Sequence, residues 1–282
     1  MKRKARPLFF LALGLTVTLG GSPCVWAQRS PAPENIYALV NRIEMQRYNW
    51  LGYKASVKLN FTTNHGQTAT CQGTLTYLRL EEKILLQCYN SNKNTLFVFK
   101  TSDLDFELFM PMQKTLYQGN IFDLEFSDDV DSHIKPYDLY RALKPMIIPF
   151  GSVRLESRDK LLTTFVVAET RKGETYWGRR VTANEKGDVL LEDYFDADGN
   201  PTLAVKREDY KKVSGKGYIT KDPVRFPRRI VMRSEKDGTQ TEILFIKMDL
   251  IEKPISANWK ILVPPGTQTL AFPKFQPEAA SF

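Results

Sequence analysis

Reactive side chains are scarce in this chain of 282 residues, which has two histidines and three cysteines. His65 falls in an expected turn and His133 just ahead of an expected short helix, and neither has a partner at the spacings zinc sites use. There is no Gly-x-Ser-x-Gly elbow, no phosphate loop and no Cys/His pair. Nothing points to an enzyme, a cofactor or a metal. Calcium is an alternative reading of two acidic stretches. Asp123 to Asp131 lacks the glycine of a calcium loop, and acids ahead of a helix serve capping and the helix dipole. Asp196-Ala197-Asp198-Gly199-Asn200-Pro201 opens like an EF-hand loop, but Pro201 stands where that loop needs glycine, and Asp-Gly-Asn suits a tight turn.

Charge of one sign is also lacking. The formal net charge is +8, from 40 basic and 32 acidic residues. Lys2, Arg3, Lys4 and Arg6 precede an apolar run from Pro7 to Gly20 and the small-residue site Val25-Trp26-Ala27, a pattern that reads as a secretory signal over residues 1–27. Without those four cations the count is 36 basic against 32 acidic, or +4, too even for a nucleic-acid-binding face. No apolar run reaches the ~20 residues of a membrane-spanning helix. The expected product is exported and periplasmic, beginning near Gln28. Cys24 leaves a lipid anchor as the alternative, although Gly21-Ser22-Pro23 does not fit a lipoprotein box. Residues 28–282 show no Pro/Gly/Ser-rich linker and read as one domain.

Two cysteines remain, Cys71 and Cys88, in a compartment where disulfides persist. Residues 71–77 and 84–88 read as a hairpin with its turn near Arg79 to Glu82. Pairing Tyr77 with Glu82, Leu75 with Ile84 and Gly73 with Leu86 sets Cys71 directly opposite Cys88. A disulfide is expected, with two buried free thiols as the alternative.

Helical spacing is confined to two places. Ile36, Leu39, Val40, Ile43 and Arg47 form a stripe over residues 34–47 behind Pro33, and Tyr137 to Leu143 lies between Pro136 and Pro145. Elsewhere the period is two. Tyr53, Ala55, Val57, Leu59 and Phe61 alternate with polar residues, and similar runs follow at 67–77, 83–89, 95–100, 105–110, 114–119, 161–169, 175–184, 188–195, 202–213, 228–234, 241–250 and 259–263. The fold class expected is mostly β with few helices (α+β), a strongly curved antiparallel sheet closing on itself, with both helices on its concave face. Phe97, Phe99, Phe106, Leu108, Met110, Tyr117, Phe165, Trp177, Tyr194, Met232, Phe245 and Met248 lie in or beside the strands. They either fill the interior or line a cavity for an apolar ligand.

The strings Gly73-Thr74-Leu75-Thr76-Tyr77-Leu78-Arg79, Phe106-Glu107-Leu108-Phe109-Met110-Pro111 and Leu116-Tyr117-Gln118-Gly119 resemble the LolA/LolB superfamily of periplasmic lipoprotein carriers. The close Trp259-Lys260-Ile261-Leu262-Val263-Pro264-Pro265-Gly266 is similar to that family's F-x-x-P-x-G ending. The resemblance implies a half-barrel with an N-terminal helix and a mid-chain helical lid, here residues 121–149. It implies a divergent carrier that binds acyl chains of lipoproteins or other lipids and passes them toward the outer membrane, with an inner- or outer-membrane transport component as partner. A scaffold or protein-binding module with a filled half-barrel is the other reading. Arg79 stands at the spacing of the family's lid-locking arginine, followed by Leu80 where the family usually has proline. Leu75, Tyr77, Phe97, Phe99, Phe106, Leu108, Leu139 and Leu143 are the candidate ligand-binding residues.

Overall fold

The computed structural model describes residues 35–121, 136–144, 147–149, 151–171, 173–213, 218–220, 223–253 and 259–271. The expected signal segment with Cys24, the acidic stretch 123–131 and His133 lie outside these residues. No helix among them is long and apolar enough to cross a membrane.

The first element, α1 (Ile36–Tyr48), starts where the Asn35 side chain accepts a hydrogen bond from the Tyr37 amide at 3.0 Å, a cap that satisfies one of the free donors of the first turn. Its stripe of Leu39, Val40 and Ile43 is buried. Polar residues beside that stripe grip a turn across the molecule. Gln46 donates to the Lys186 carbonyl and Arg42 to that of Glu185.

Six strands follow in hairpin order: β1 (Gly52–Thr62), β2 (Thr68–Leu78), β3 (Lys83–Tyr89), β4 (Thr95–Ser102), β5 (Asp105–Met110) and β6 (Thr115–Asn120). The chain then forms α2 (Pro136–Leu143) and resumes at β7 (Val153–Arg158). From there it runs through β8 (Leu162–Arg171), β9 (Glu174–Asn184), β10 (Val189–Phe195), β11 (Pro201–Lys212), β12 (Arg225–Ser234) and β13 (Gln240–Leu250), with β14 (Gln268–Ala271) last. All fourteen strands belong to one sheet in the order β14-β6-β5-β4-β3-β2-β1-β13-β12-β11-β10-β9-β8-β7. Every neighbour is antiparallel except β14, which runs parallel to β6. Two meanders thus meet where β13 pairs with β1, Tyr53 opposite Leu250, and α2 lies in the connection between their outer ends.

The sheet is curved and open, with β14 and β7 as its edges. Closure, expected from the meander order, is not reached: β14 and β7 do not pair with each other. Two strands escape the sequence pattern. In β7 only Val153 is even half-buried, and β14 is exposed throughout. Conversely, Trp259 to Val263 is not a strand. Trp259 and Ile261 instead pack on the convex face against Leu78, Leu85, Ile251, Val98, Phe109 and Leu116.

The β2–β3 hairpin differs in register from its expected pairing. Tyr77 is opposite Ile84, Leu75 opposite Leu86 and Gly73 opposite Cys88, a slip of two residues, because Lys83 joins the ladder and Arg79 to Glu82 form the turn with Glu82 in a left-handed conformation (φ 48°). A slip of two leaves every side chain on its original face. Cys71 therefore still reaches Cys88, now diagonally, in a disulfide with a Cα–Cα separation of 5.8 Å. Gly73 is required at this point, since a Cβ there would collide with the Gln87 carbonyl oxygen.

Candidate functional site

Alternation places Tyr53, Ala55, Val57, Leu59 and Phe61 of β1 on the inner face. Neighbouring strands add Leu75, Tyr77, Phe97, Phe99, Phe106 and Leu108, each about 1% exposed or less. The short helix α2 closes over them with Tyr137, Leu139, Tyr140, Ala142 and Leu143. All eight candidate ligand-binding residues thus fall in one cluster, where they pack against each other. A second cluster joins α1 to Phe165, Val167, Val181, Ala183 and Val189 of β8 to β10, with Ile148 beside them.

The ties that hold α2 and the residues after it are polar. Among the described residues α2 makes no backbone-to-backbone hydrogen bond to the sheet. Instead the Arg207 Nη2 donates to the Ala142 carbonyl at 3.3 Å and Arg179 Nη2 to that of Ile147 at 2.7 Å. Lys144 Nζ donates to Glu82 Oε2 at 2.8 Å, and the Glu44 carboxylate of α1 accepts from the Ile148 amide at 2.9 Å. The two arginines share one buried carboxylate. Arg207 is hydrogen-bonded to Glu192, whose other oxygen lies 3.9 Å from Arg179 Nη1. Burial disfavours the charge on Arg207, but Glu192, Tyr210 and Tyr194 together outweigh it and hold the guanidinium pKa above its ordinary value.

Arg79 has a different place. Its Nε donates to the Trp50 carbonyl at 2.6 Å, its amide to the Leu51 carbonyl, and its guanidinium lies over the Tyr48 ring. It therefore braces the passage from α1 into β1, while the α2 carbonyl is taken by Arg207.

A cavity of about 120 Å³ opens between the C-terminal ends of α1 and α2 and the inner face of β10 to β13. Its apolar wall is Trp50, Tyr53, Phe226, Ile230 and Phe245, and its polar side carries Arg47, Lys144, Arg207, Arg225 and Glu192. The aromatic rings are in contact, with Trp50 and Phe226 centroids 5.0 Å apart and Tyr53 and Phe226 5.3 Å. Burial raises the Tyr53 hydroxyl pKa far above its usual range, with Tyr77 adding to the shift. The Asp196 to Pro201 segment is the turn between β10 and β11, with the Asn200 amide donating to Asp196 Oδ1 at 2.8 Å.

Sequence reasoning missed the buried ions, although a signal was there. Arg207 shares a face with the buried Leu203 and Val205, and Glu192 shares one with Tyr194. A charge at an inward position of two adjacent strands marks an internal ion pair.

No family model matches the chain, and no curated protein sequence does. Solved structures do. An outer membrane lipoprotein-sorting protein domain from Vibrio parahaemolyticus superposes with a TM-score of 0.57 at 12% identity, over 78% of this chain and 94% of that one. A LolA superfamily protein from Nitrosomonas europaea gives 0.53 at 13% identity, over 77% and 94%. A DUF1329 family protein from Desulfovibrio piger gives 0.53 at 12% identity, over 76% and 91%. By these superpositions the chain shares the fold of a lipoprotein-sorting domain and of a LolA superfamily protein.

Proposed function

We propose that this protein is a periplasmic carrier whose concave face binds acyl chains of lipoproteins or other lipids when α2 moves aside. The observation that carries the reading is that the largest buried apolar cluster among the described residues includes one face of an eight-residue helix, α2, which side-chain hydrogen bonds also hold. The opposing magnitudes are comparable. Exposing Leu139 and Leu143 costs about 1.5–3 kcal/mol each, whereas burying about ten methylenes of an acyl chain contributes on the order of 8 kcal/mol. The charged hydrogen bonds at Ala142, Ile147 and Lys144 contribute about 1.5–3 kcal/mol each, net of the water bonds that replace them on opening. The sorting-protein names of the relatives in fold add support. Handing the cargo on requires a donor or acceptor at the inner or outer membrane.

The opposing reading, an envelope scaffold with a filled half-barrel, is favoured by the dense inner cluster and by a cavity of about 120 Å³, below the ~300 Å³ at which ligand pockets begin. Titration with a fluorescent fatty acid and with an acylated peptide separates the two. A carrier takes up either one with saturable stoichiometry. A protein that stays folded and binds neither is the scaffold.

A further inference from the structure

The polar side of the cavity is unevenly charged. Four cations, Arg47, Lys144, Arg207 and Arg225, line it with a single carboxylate, Glu192. Three of the four are matched at short range. Arg207 pairs with Glu192, Lys144 with Glu82 at 2.8 Å, and Arg225 takes both oxygens of Asp188. Arg47 has the longest of the four pairings, its Nη1 3.4 Å from Glu44 Oε2 and 3.5 Å from the Tyr48 hydroxyl, while the other Glu44 oxygen accepts from the Ile148 amide. The Arg47 Nε is buried and has no acceptor among the described residues.

A second guanidinium, outside the cavity lining, stands near Arg47. The Cζ atoms of Arg47 and Arg79 lie 5.2 and 5.4 Å from the same Tyr48 ring centroid, and Arg79 forms no ion pair with a carboxylate among the described residues. Burial, and then the Arg47 charge, lower the pKa of Arg79. The negative end of the α1 dipole favours a cation at Arg47, but this leaves its buried Nε unexplained, since a buried donor without an acceptor is destabilising.

We propose that the cavity seats the anionic headgroup of the amphiphile, a carboxylate or a phosphate. Arg47 grips it, Arg79 adds positive potential from the rim, and the chain runs inward over Trp50, Tyr53 and Phe226. The guanidinium fork matches both oxyanions. The small volume fits a headgroup and its first methylenes, and the rest of the chain needs the space under α2. The inference rests on the carrier reading but makes a separate claim, that the cargo is anionic.

The test is calorimetric titration of the mature protein with dodecanoate, dodecyl phosphate, the neutral monododecanoylglycerol and inorganic phosphate, the amphiphiles kept below micelle formation. Both anionic amphiphiles are expected to bind about tenfold or more tightly than the neutral one, the effect of one charge-assisted hydrogen bond, with the advantage shrinking as salt rises. Arg47→Gln removes the advantage, so that the variant binds anionic and neutral amphiphiles alike, whereas Arg47→Lys keeps part of it. Equal affinity of the wild-type protein for neutral and anionic amphiphiles overturns the headgroup site and leaves the carrier standing. Inorganic phosphate binding as tightly as dodecyl phosphate also overturns it. Failure of every amphiphile to bind overturns the carrier reading too. The wild-type comparison decides the matter even if Arg47→Gln does not fold.

Discussion

Arg207 donates a hydrogen bond to the carbonyl oxygen of Ala142 at 3.3 Å, so a residue of β11 holds the last turn of α2, whose carbonyls have no partner within the helix. The same guanidinium is bound to Glu192, which is wholly buried. Arg207→Leu leaves that carboxylate with the Tyr194 hydroxyl at 3.3 Å and, among the described residues, no cation nearer than Arg179 at 3.9 Å. Breaking such a buried pair costs about 3–5 kcal/mol. The double variant Arg207→Leu with Glu192→Leu is expected to recover most of the loss, because no charge is stranded. Urea denaturation of the wild type, the single and the double variant checks this. A single variant as stable as wild type would show that the pair contributes nothing.

Leu139 of α2 is 1% exposed and separates the carrier from the scaffold. Leu139→Ala weakens the closed form by about 2–5 kcal/mol. In a carrier the acyl chain competes with α2 for the same apolar surface, so the variant binds an acylated peptide at least about tenfold more tightly than wild type. A filled scaffold loses stability and gains no affinity.

The disulfide closes a loop with a sequence separation of 17, and on the chain-entropy model that contributes about 3 kcal/mol. Replacing both Cys71 and Cys88 with alanine is expected to lower stability by that order without loss of the fold. Thiol labelling of denatured, unreduced protein is expected to find neither cysteine reactive. Two reactive thiols in protein purified without reductant from an oxidising compartment contradict the bridge.

Burial drives the hydroxyls of Tyr53, Tyr77 and Tyr210 far above their ordinary value of 10.0 and that of Tyr194 up to about 12. The raised folded-state values fix the sign. The unfolded chain releases these protons near pH 10 while the folded chain keeps them. Stability is therefore level below pH 10 and falls as the pH rises from 10 toward 12 and above, by about 1.4 kcal/mol per pH unit for each such tyrosine. Urea midpoints measured from pH 8 to pH 11 follow this fall. A midpoint unchanged at pH 11 means that the hydroxyls are open to solvent.

Much of the fold is legible in the sequence. Residues 83–89 and 105–110 read as strands between turn residues, and β3 and β5 occupy those same spans. The helix expected at 137–143 begins one residue earlier. The failures have local causes. In Val153-Arg154-Leu155-Glu156-Ser157-Arg158 an edge position leaves Leu155 exposed, so no buried face shows in the text. Trp259 and Ile261 have a strand's composition but serve as a strap on the convex face. The apolar lining follows from alternation, whereas composition gives no reason to bury Arg207 and Glu192 until β10 and β11 are placed side by side. The role expected of Arg79 depended on which helix lies beside it, and spacing carries no information about that. The register slip shows how a hairpin's pairing depends on turn length when the chain offers several polar residues to the turn.

The central claim is that an acyl chain takes the place of α2 on the concave face. Hydrogen exchange of the mature protein with and without a palmitoylated peptide tests it most directly, because amide protection reports local opening. Saturable binding of the peptide, with faster exchange in residues 136–144 and unchanged protection in β1 and β2, is the result the account predicts. Binding that leaves residues 136–144 as protected as before, or no binding by a folded protein, contradicts it.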